Sequence, residues 1–141
     1  MTPRDTGTGA VLEAMILPAL KKGGYTYETQ VRVGDRLGCG RHVIDVIAKD
    51  ITGTSYLISL KWQQVSGTAE QKVPFEIMCL TDVILNTDNE YERAYVVLGG
   101  GGWKLRELYV AGGLGRFLTY PDLVQVVDLE TFVAKANTGR L

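Results

Sequence analysis

Residues 43–63 read VIDVIAKDITGTSYLISLKWQ, and this stretch decides the fold. Its first apolar run predicts a strand over 43–47, and its second predicts a strand over Tyr56–Trp62. Between them, Asp50-Ile51-Thr52-Gly53 has the composition of a turn. Two strands joined by a short turn form an antiparallel hairpin. We therefore expect these strands to be neighbours in one sheet.

Side chains alternate between the two faces of a strand. In the second strand one face is apolar and the other is polar; the polar face carries Ser59, Lys61 and Gln63, the apolar face Ile58, Leu60 and Trp62. In the first strand Asp45 lies within an apolar run, where a carboxylate is costly unless it is paired, hydrogen-bonded or bound to a metal. The hairpin brings Asp45 beside the polar face. An aspartate next to a lysine there is either a structural salt bridge or a site for a metal and a phosphate.

The segment before the hairpin predicts one helix and one strand. Apolar residues recur at helical spacing over Val11–Leu20, and Gly23 and Gly24 end that helix. Pro18 should kink or shorten it. Strand-forming residues then alternate over Tyr25–Val33.

The segment after the hairpin continues with a helix and further strands. Thr68 and Gln71 form a capping-box pattern that opens a helix, unless the helix begins at Pro74. Beyond it we expect strands over Ala94–Leu98 and Val124–Leu129, a short helix or irregular segment over Trp103–Leu108, and a closing helix over Glu130–Ala136. The resulting order predicts an α/β fold in which helices flank one mixed sheet.

The composition indicates one soluble domain. The chain has 141 residues, of which 45% are hydrophobic and 22% charged, with a formal net charge of -1. We expect a single domain over 1–141, with 1–7 as a loose polar tail and a cytoplasmic location. Two cysteines and one histidine are too few for a zinc cage. The longest apolar stretch is too short to cross a membrane, so no membrane partner is expected.

The glycine run Gly99–Gly102 follows a predicted strand and resembles a nucleotide-binding loop only superficially. The Gly-x-Gly-x-x-Gly pattern would need glycine where Lys104 stands, and no Gly-Lys-Ser/Thr follows. No nucleotide cofactor is therefore expected. We interpret the run as a flexible loop able to approach phosphates.

The hairpin residues also carry a resemblance to a known family. A series of features along the chain resembles the PD-(D/E)XK nuclease superfamily. They are a helix bearing Glu13, a β-meander, Asp45 at the end of a Val-Ile-Asp run, and then a polar residue two positions before a lysine, Ser59 and Lys61, with apolar residues on both sides. Within it, these four residues take the positions used by archaeal-type Holliday-junction resolvases. The resemblance covers roughly residues 9–100. It implies a restriction-endonuclease-like αβββαβ core and a DNA-cleaving enzyme that uses Mg²⁺, with Mn²⁺ as a substitute.

Ser59 departs from the family pattern, which usually has Asp or Glu at that position. A serine hydroxyl is a poor magnesium ligand. Some restriction endonucleases of the superfamily share this departure and recover the carboxylate from a glutamate on the following helix. Glu76 lies fifteen positions after Lys61 and Glu70 nine. We favour Glu76, although a solvated helix glutamate would look the same, and an acid at position 70 is also explained by the helix dipole.

The resemblance implies roles for the remaining candidates. Asp45 and the displaced glutamate would hold the metal, with the carbonyl of Leu60 as a further ligand, and Glu13 would approach a second metal or simply flank its helix's core stripe. Lys61 would orient the attacking water or offset charge on the scissile phosphate. Gln63 would touch the site or the DNA, or be a polar residue at an edge.

Flanking residues give weaker indications. Three arginines around the loop between the first two strands either grip a DNA backbone or are solvated; they are Arg32, Arg36 and Arg41. Strand alternation places His42 on the face opposite Asp45, which argues against a catalytic role.

The expected function is a Holliday-junction resolvase acting as a homodimer, because a four-way junction needs two symmetric cuts. The apolar region from Tyr95 to Trp103, expected near the far edge of the fold, is a candidate interface. A restriction-type or repair endonuclease on the same fold is the first alternative. A catalytically inactive DNA-binding or assembly protein is an alternative of another class.

Overall fold

The computed structural model describes residues 9–35 and 41–141, without the side chains of Asp35 and Arg41. The strands are β1 (Thr26–Asp35), β2 (Arg41–Lys49), β3 (Ser55–Trp62), β4 (Arg93–Gly99) and β5 (Val124–Asp128). The helices are a π-helical segment (Leu12–Ile16) continued by α1 (Leu17–Lys22), then α2 (Ala69–Leu85), α3 (Arg106–Val110), a 3₁₀ turn (Gly115–Phe117) and α4 (Leu129–Asn137). Within these residues no helix is long and apolar enough to cross a membrane. The expected tail falls outside them.

The five strands form one sheet in the order β1-β2-β3-β4-β5. The pairs β1–β2 and β2–β3 are antiparallel, whereas β3–β4 and β4–β5 are parallel. The predicted mixed α/β sheet and the β2–β3 hairpin are therefore confirmed. The expectation that Tyr95–Trp103 lies near the far edge is wrong for its strand portion, because β4 lies between β3 and β5 and Tyr95 is fully buried.

Two hydrophobic clusters cover the two faces of the sheet. The first contains Leu12, Ile16 and Leu20 from the N-terminal helix, Phe132 from α4, and alternate residues of β3 such as Ile58. The second contains the α2 residues Val73, Ile77 and Leu80 together with Leu57 of β3. The helices therefore lie on both faces, and α2 is the helix that faces the polar side of β3.

Pro18 changes the N-terminal helix without ending it. A proline has no N–H and cannot complete the regular ladder one turn earlier. The five residues before Leu17 are wound as a π-helix, and the amide of Leu17 bonds to the carbonyl of Leu12. The expected distortion thus takes the form of a change in helix register.

Pro74 lies inside α2, which begins at Ala69; the helix does not begin at Pro74. The Thr68 side chain makes no capping hydrogen bond, so the expected capping box does not form. Because Pro74 lacks an N–H, the carbonyl of Glu70 is left without its helical donor. The hydroxyl of Tyr109 in α3 donates to that carbonyl at 2.8 Å. The Tyr109 hydroxyl therefore satisfies the carbonyl that the proline leaves without a donor.

Candidate active site

The β1–β2 pair is irregular where the candidate aspartate lies. Thr29 pairs with Val46 and Val31 with Ile44, with Gln30 and Asp45 between these pairs. Gln30 has φ 53, in the left-handed region. Ile44 belongs to the second cluster, although Val46, two residues on, belongs to the first. The side chains of β2 therefore change face at this level, although the register of the β1–β2 pair is the same on both sides of it.

Asp45 lies where β2 separates from β3. The hairpin pairs run from Lys49 and Ser55 at the turn to Val46 and Ile58, and stop there. Beyond them Asp45 Oδ2 accepts a hydrogen bond from the backbone amide of Leu60 at 2.7 Å. Burial raises the pKa of Asp45, while the Leu60 amide and the Lys61 ammonium oppose the rise. The aspartate is thus held beside the polar row of β3, as expected.

Ser59 and Lys61 of that row meet Glu76 of α2. The Ser59 hydroxyl donates to Glu76 Oε2 at 2.8 Å, and Lys61 Nζ lies 3.8 Å from Glu76 Oε1. Ser59 and Glu76 are buried, whereas the Lys61 side chain is 24% exposed. The structure therefore brings together Asp45, Ser59, Lys61 and Glu76 on the α2 side of the sheet, with the ammonium at the solvent boundary.

The carboxylate of Glu76 is ionised in this setting. Burial alone would raise its pKa, but the His42 imidazole, the Lys61 ammonium and the Ser59 hydroxyl outweigh burial and lower the pKa from 4.5 to about 2. Glu76 and Asp45 therefore differ: the pKa of Asp45 is raised and that of Glu76 lowered.

Glu70, the other candidate on α2, has different partners. Its Oε1 accepts hydrogen bonds from the backbone amides of Lys104 and of Leu105, the latter at 2.8 Å. Leu105 precedes the first residue of α3. The carboxylate therefore ties α2 to the backbone just before α3, which accounts for its burial without a metal.

Gln63 is buried in a contact with the glycine run. Its Nε2 donates to the carbonyl of Gly102 at 2.7 Å, and the Gly102 amide donates to the Gln63 carbonyl. A Cβ at Gly100 or Gly102 would overlap the backbone of Gln63 or Val65, and Gly100 has φ 90. The glycines thus permit close backbone packing, and the interpretation of the run as a flexible loop is wrong.

Of the remaining candidates Glu13 lies apart from this group, and two of the three arginines cannot be placed. Glu13 is exposed on the N-terminal helix, whose apolar side packs in the first cluster, away from α2. Arg32 is exposed on β1. Arg36 and the side chain of Arg41 lie outside the described residues.

His42 is the residue that reasoning from the sequence misplaced. Its Nε2 lies 3.7 Å from Glu76 Oε2, so it lies on the α2 side of the sheet, close to the Asp45 group. Simple alternation predicted the opposite face. The prediction failed because the irregularity at Gln30 and Asp45 reverses the alternation. Nothing in the sequence of β2 signals that reversal.

A family model described as the PD-(D/E)XK nuclease superfamily domain matches residues 4–140. No curated protein matches the chain significantly.

Three solved structures are similar in fold. One is a protein of unknown function, with 18% identity and a TM-score of 0.48 over 80% of this chain and 54% of that chain. A repair endonuclease from Pyrococcus abyssi has 12% identity and a TM-score of 0.46 over 92% and 46%. A complex of EndoMS with double-stranded DNA has 14% identity and a TM-score of 0.39 over 86% and 43%. The chain thus corresponds to about half the length of each.

Proposed function

The chain belongs to the PD-(D/E)XK nuclease superfamily, and from this premise we propose that it is a magnesium-dependent DNA endonuclease that hydrolyses phosphodiester bonds. Family membership confirms the resemblance drawn from Asp45, Ser59 and Lys61 and makes this a metal-dependent nuclease domain. One observation carries the proposed site: Glu76 bonds to Ser59 and lies beside Lys61, where the family usually has a carboxylate on β3 itself.

The residues of the site fit a magnesium ion. Nucleases of this superfamily generally use divalent metal ions. No group of three or more His, Cys, Asp or Glu side chains suited to a metal is found among the described residues. Magnesium, however, is usually held by one or two carboxylates and completes its shell with water and substrate phosphate. Asp45 and Glu76 supply two carboxylates, and the Leu60 carbonyl is the third proposed ligand. When bound, the ion would stabilise negative charge on the phosphate and lower the pKa of a bound water.

The side chains divide the remaining tasks. Lys61, partly exposed, contacts the scissile phosphate or orients the attacking water. Glu76 stays ionised because its pKa is about 2, so it can accept a cation throughout the neutral range. Ser59 donates to Glu76 and fixes the direction of its carboxylate.

As substrate we propose a four-way DNA junction, cut by a homodimer with one site for each of two symmetric strands. The resemblance of Glu13, Asp45, Ser59 and Lys61 to archaeal-type resolvases supports this choice. A restriction-type or repair endonuclease is the second candidate. The Ser59–Glu76 bond favours it, because some restriction endonucleases of the superfamily carry Ser-x-Lys and a displaced glutamate.

The decisive experiment compares three DNA substrates. The protein is incubated with Mg²⁺ and end-labelled four-way junction, linear duplex of the same sequence, or single strand. Asp45→Asn, purified in parallel, reveals any contaminating nuclease. We expect paired symmetric cuts in the junction and none from the variant. Equal cutting of junction and duplex would favour the second candidate, and cutting of none would overturn the nuclease proposal.

The assembly is tested separately by sedimentation velocity at micromolar protein concentration, with and without junction DNA. We expect a dimer in both samples. A monomer in both would contradict the resolvase proposal and leave a nicking enzyme as the remaining nuclease.

A further inference from the structure

His42, the only histidine of the sequence, is buried in the wall of the proposed site. It is 0% exposed, and its Nε2 lies 3.7 Å from Glu76 Oε2, the oxygen that also accepts from Ser59. Because the side chain is wholly buried, it cannot contact DNA directly. Any contribution to the reaction must therefore pass through a neighbouring side chain, and Glu76 faces its Nε2.

The imidazole needs a hydrogen-bond partner. Among the residues that the structure describes, neither ring nitrogen has one, and a buried polar group without a partner destabilises the fold. The Glu76 carboxylate is the charged acceptor that faces it, and a small rotation would bring 3.7 Å into hydrogen-bond range. The imidazole also lowers the pKa of Glu76, so the two groups interact already.

We propose that His42 is a positioning residue that donates from Nε2–H to Glu76 and fixes the carboxylate for metal binding. With Ser59 and His42 at Oε2 and Lys61 at Oε1, donors from two strands set the orientation of a carboxylate that comes from a helix. Such support matters because Glu76 stands in for an acid that the family usually carries on a rigid strand. The metal-binding part of this inference rests on the proposed function, whereas the His42–Glu76 hydrogen bond does not.

The first test separates donation from packing. His42→Gln keeps a donor near the position of Nε2, whereas His42→Leu fills the space without one. Mn²⁺ binding in the absence of DNA is measured by calorimetry for both variants, and circular dichroism checks that each is folded. We expect His42→Leu to bind Mn²⁺ about 10- to 100-fold more weakly and His42→Gln to recover most of the loss. Unchanged affinity in folded His42→Leu, or equal losses in both variants, would overturn the positioning role.

The second test requires neither metal nor cleavage. Since there is one histidine, ring ¹⁵N spectra of the labelled wild-type protein need no assignment. We expect Nε2 to show the shift of a protonated nitrogen, and Glu76→Gln to alter that shift. An unprotonated Nε2 would refute the hydrogen bond. If Nε2 is protonated but the wild-type protein neither binds Mn²⁺ nor cuts DNA, the proposed function fails and the hydrogen bond stands.

Discussion

Glu70 and Glu76 lie on the same helix, are both buried, and were both candidates for the displaced carboxylate. Their donors differ. Glu70 accepts from two backbone amides at the start of α3, whereas Glu76 accepts from Ser59 and lies beside the side chains of Lys61 and His42. Spacing can place an acid on the correct helix, but the donors decide its role. The backbone donors of Glu70 indicate a structural role for its carboxylate. The polar side chains around Glu76 belong to the candidate site and indicate a functional role for its carboxylate.

The strongest test of this comparison is the pair Glu76→Ala and Glu70→Ala in Mg²⁺-dependent DNA cleavage. We expect Glu76→Ala to lower the single-turnover rate at least about 100-fold, because the proposed metal ligand and several kcal/mol of charge stabilisation are lost. Glu70→Ala should retain activity at a temperature where it is folded. Asp45→Asn and Lys61→Ala should match Glu76→Ala, with DNA binding largely intact in all four variants.

Two results would contradict this assignment. Full activity in Glu76→Ala would show that Glu76 is not the displaced metal ligand, and neither Glu70 nor Glu13 is placed to replace it. Full activity in Asp45→Asn would discard the mechanism as a whole.

The sequence was sufficient for most of the fold because its signals are local. Alternation in β3 predicted the polar row, and an apolar strand with one aspartate predicted that Asp45 must be stabilised. The turn at Asp50 is equally local: its Oδ1 accepts from the amides of Thr52 and Thr54. These features depend on neighbours within a few residues, so short patterns identify them.

The unpredicted features depend on tertiary contacts. Glu70 resembles a helix-dipole acid until α3 docks on it, and the glycine run resembles a mobile loop until it packs on Gln63. His42 was assigned to the wrong face because one irregular position reverses every side chain beyond it. Each of these wrong predictions involves either a contact between residues far apart in the sequence or a strand that departs from regular geometry, and short sequence patterns report neither.

A second test uses pH. The pKa of Glu76 is about 2 in the folded protein against an ordinary 4.5. A lowered pKa means that ionised Glu76 stabilises the fold fully above about pH 4.5 and that this stabilisation is lost as pH falls towards 2. The shift corresponds to about 3 kcal/mol, as an order of magnitude. Urea unfolding between pH 6 and 3 should therefore show a smaller loss of stability for Glu76→Gln than for the wild type.

Asp45 is the control for this test, because its pKa is shifted in the opposite direction to that of Glu76. Its pKa is raised by burial, so the folded state binds that proton more tightly than the unfolded state. Protonation of Asp45 thus favours the fold as pH falls, and Asp45→Asn should lose stability more steeply in acid. Identical pH profiles for Glu76→Gln and the wild type would show that Glu76 is not held as described.

A third test addresses Glu70, whose partners are backbone amides. Glu70→Ala leaves the amides of Lys104 and Leu105 without their acceptor. We expect a loss of about 1–3 kcal/mol in the free energy of unfolding at pH 7, because two partly buried amide donors lose their charged acceptor. Urea denaturation gives the value, and Glu130→Ala on the exposed start of α4 is the matched control. A loss no larger than that of the control would show that Glu70 does not stabilise the segment before α3.

The smallest effect is expected at Ser59, and it tests whether position 59 and Glu76 serve the same proposed ligand site. Ser59→Ala removes one neutral donor from Glu76, while Lys61 and His42 still face the carboxylate. Losing such a hydrogen bond costs about 1 kcal/mol, so the cleavage rate should fall by less than about tenfold. In the Glu76→Ala background, Ser59→Glu places a carboxylate on β3, on the face where Asp45 lies, and should restore part of the lost rate. If Ser59→Ala were as damaging as Glu76→Ala, the hydroxyl itself would act on the metal or the DNA. If Ser59→Glu restored nothing, position 59 and Glu76 would not serve one ligand site.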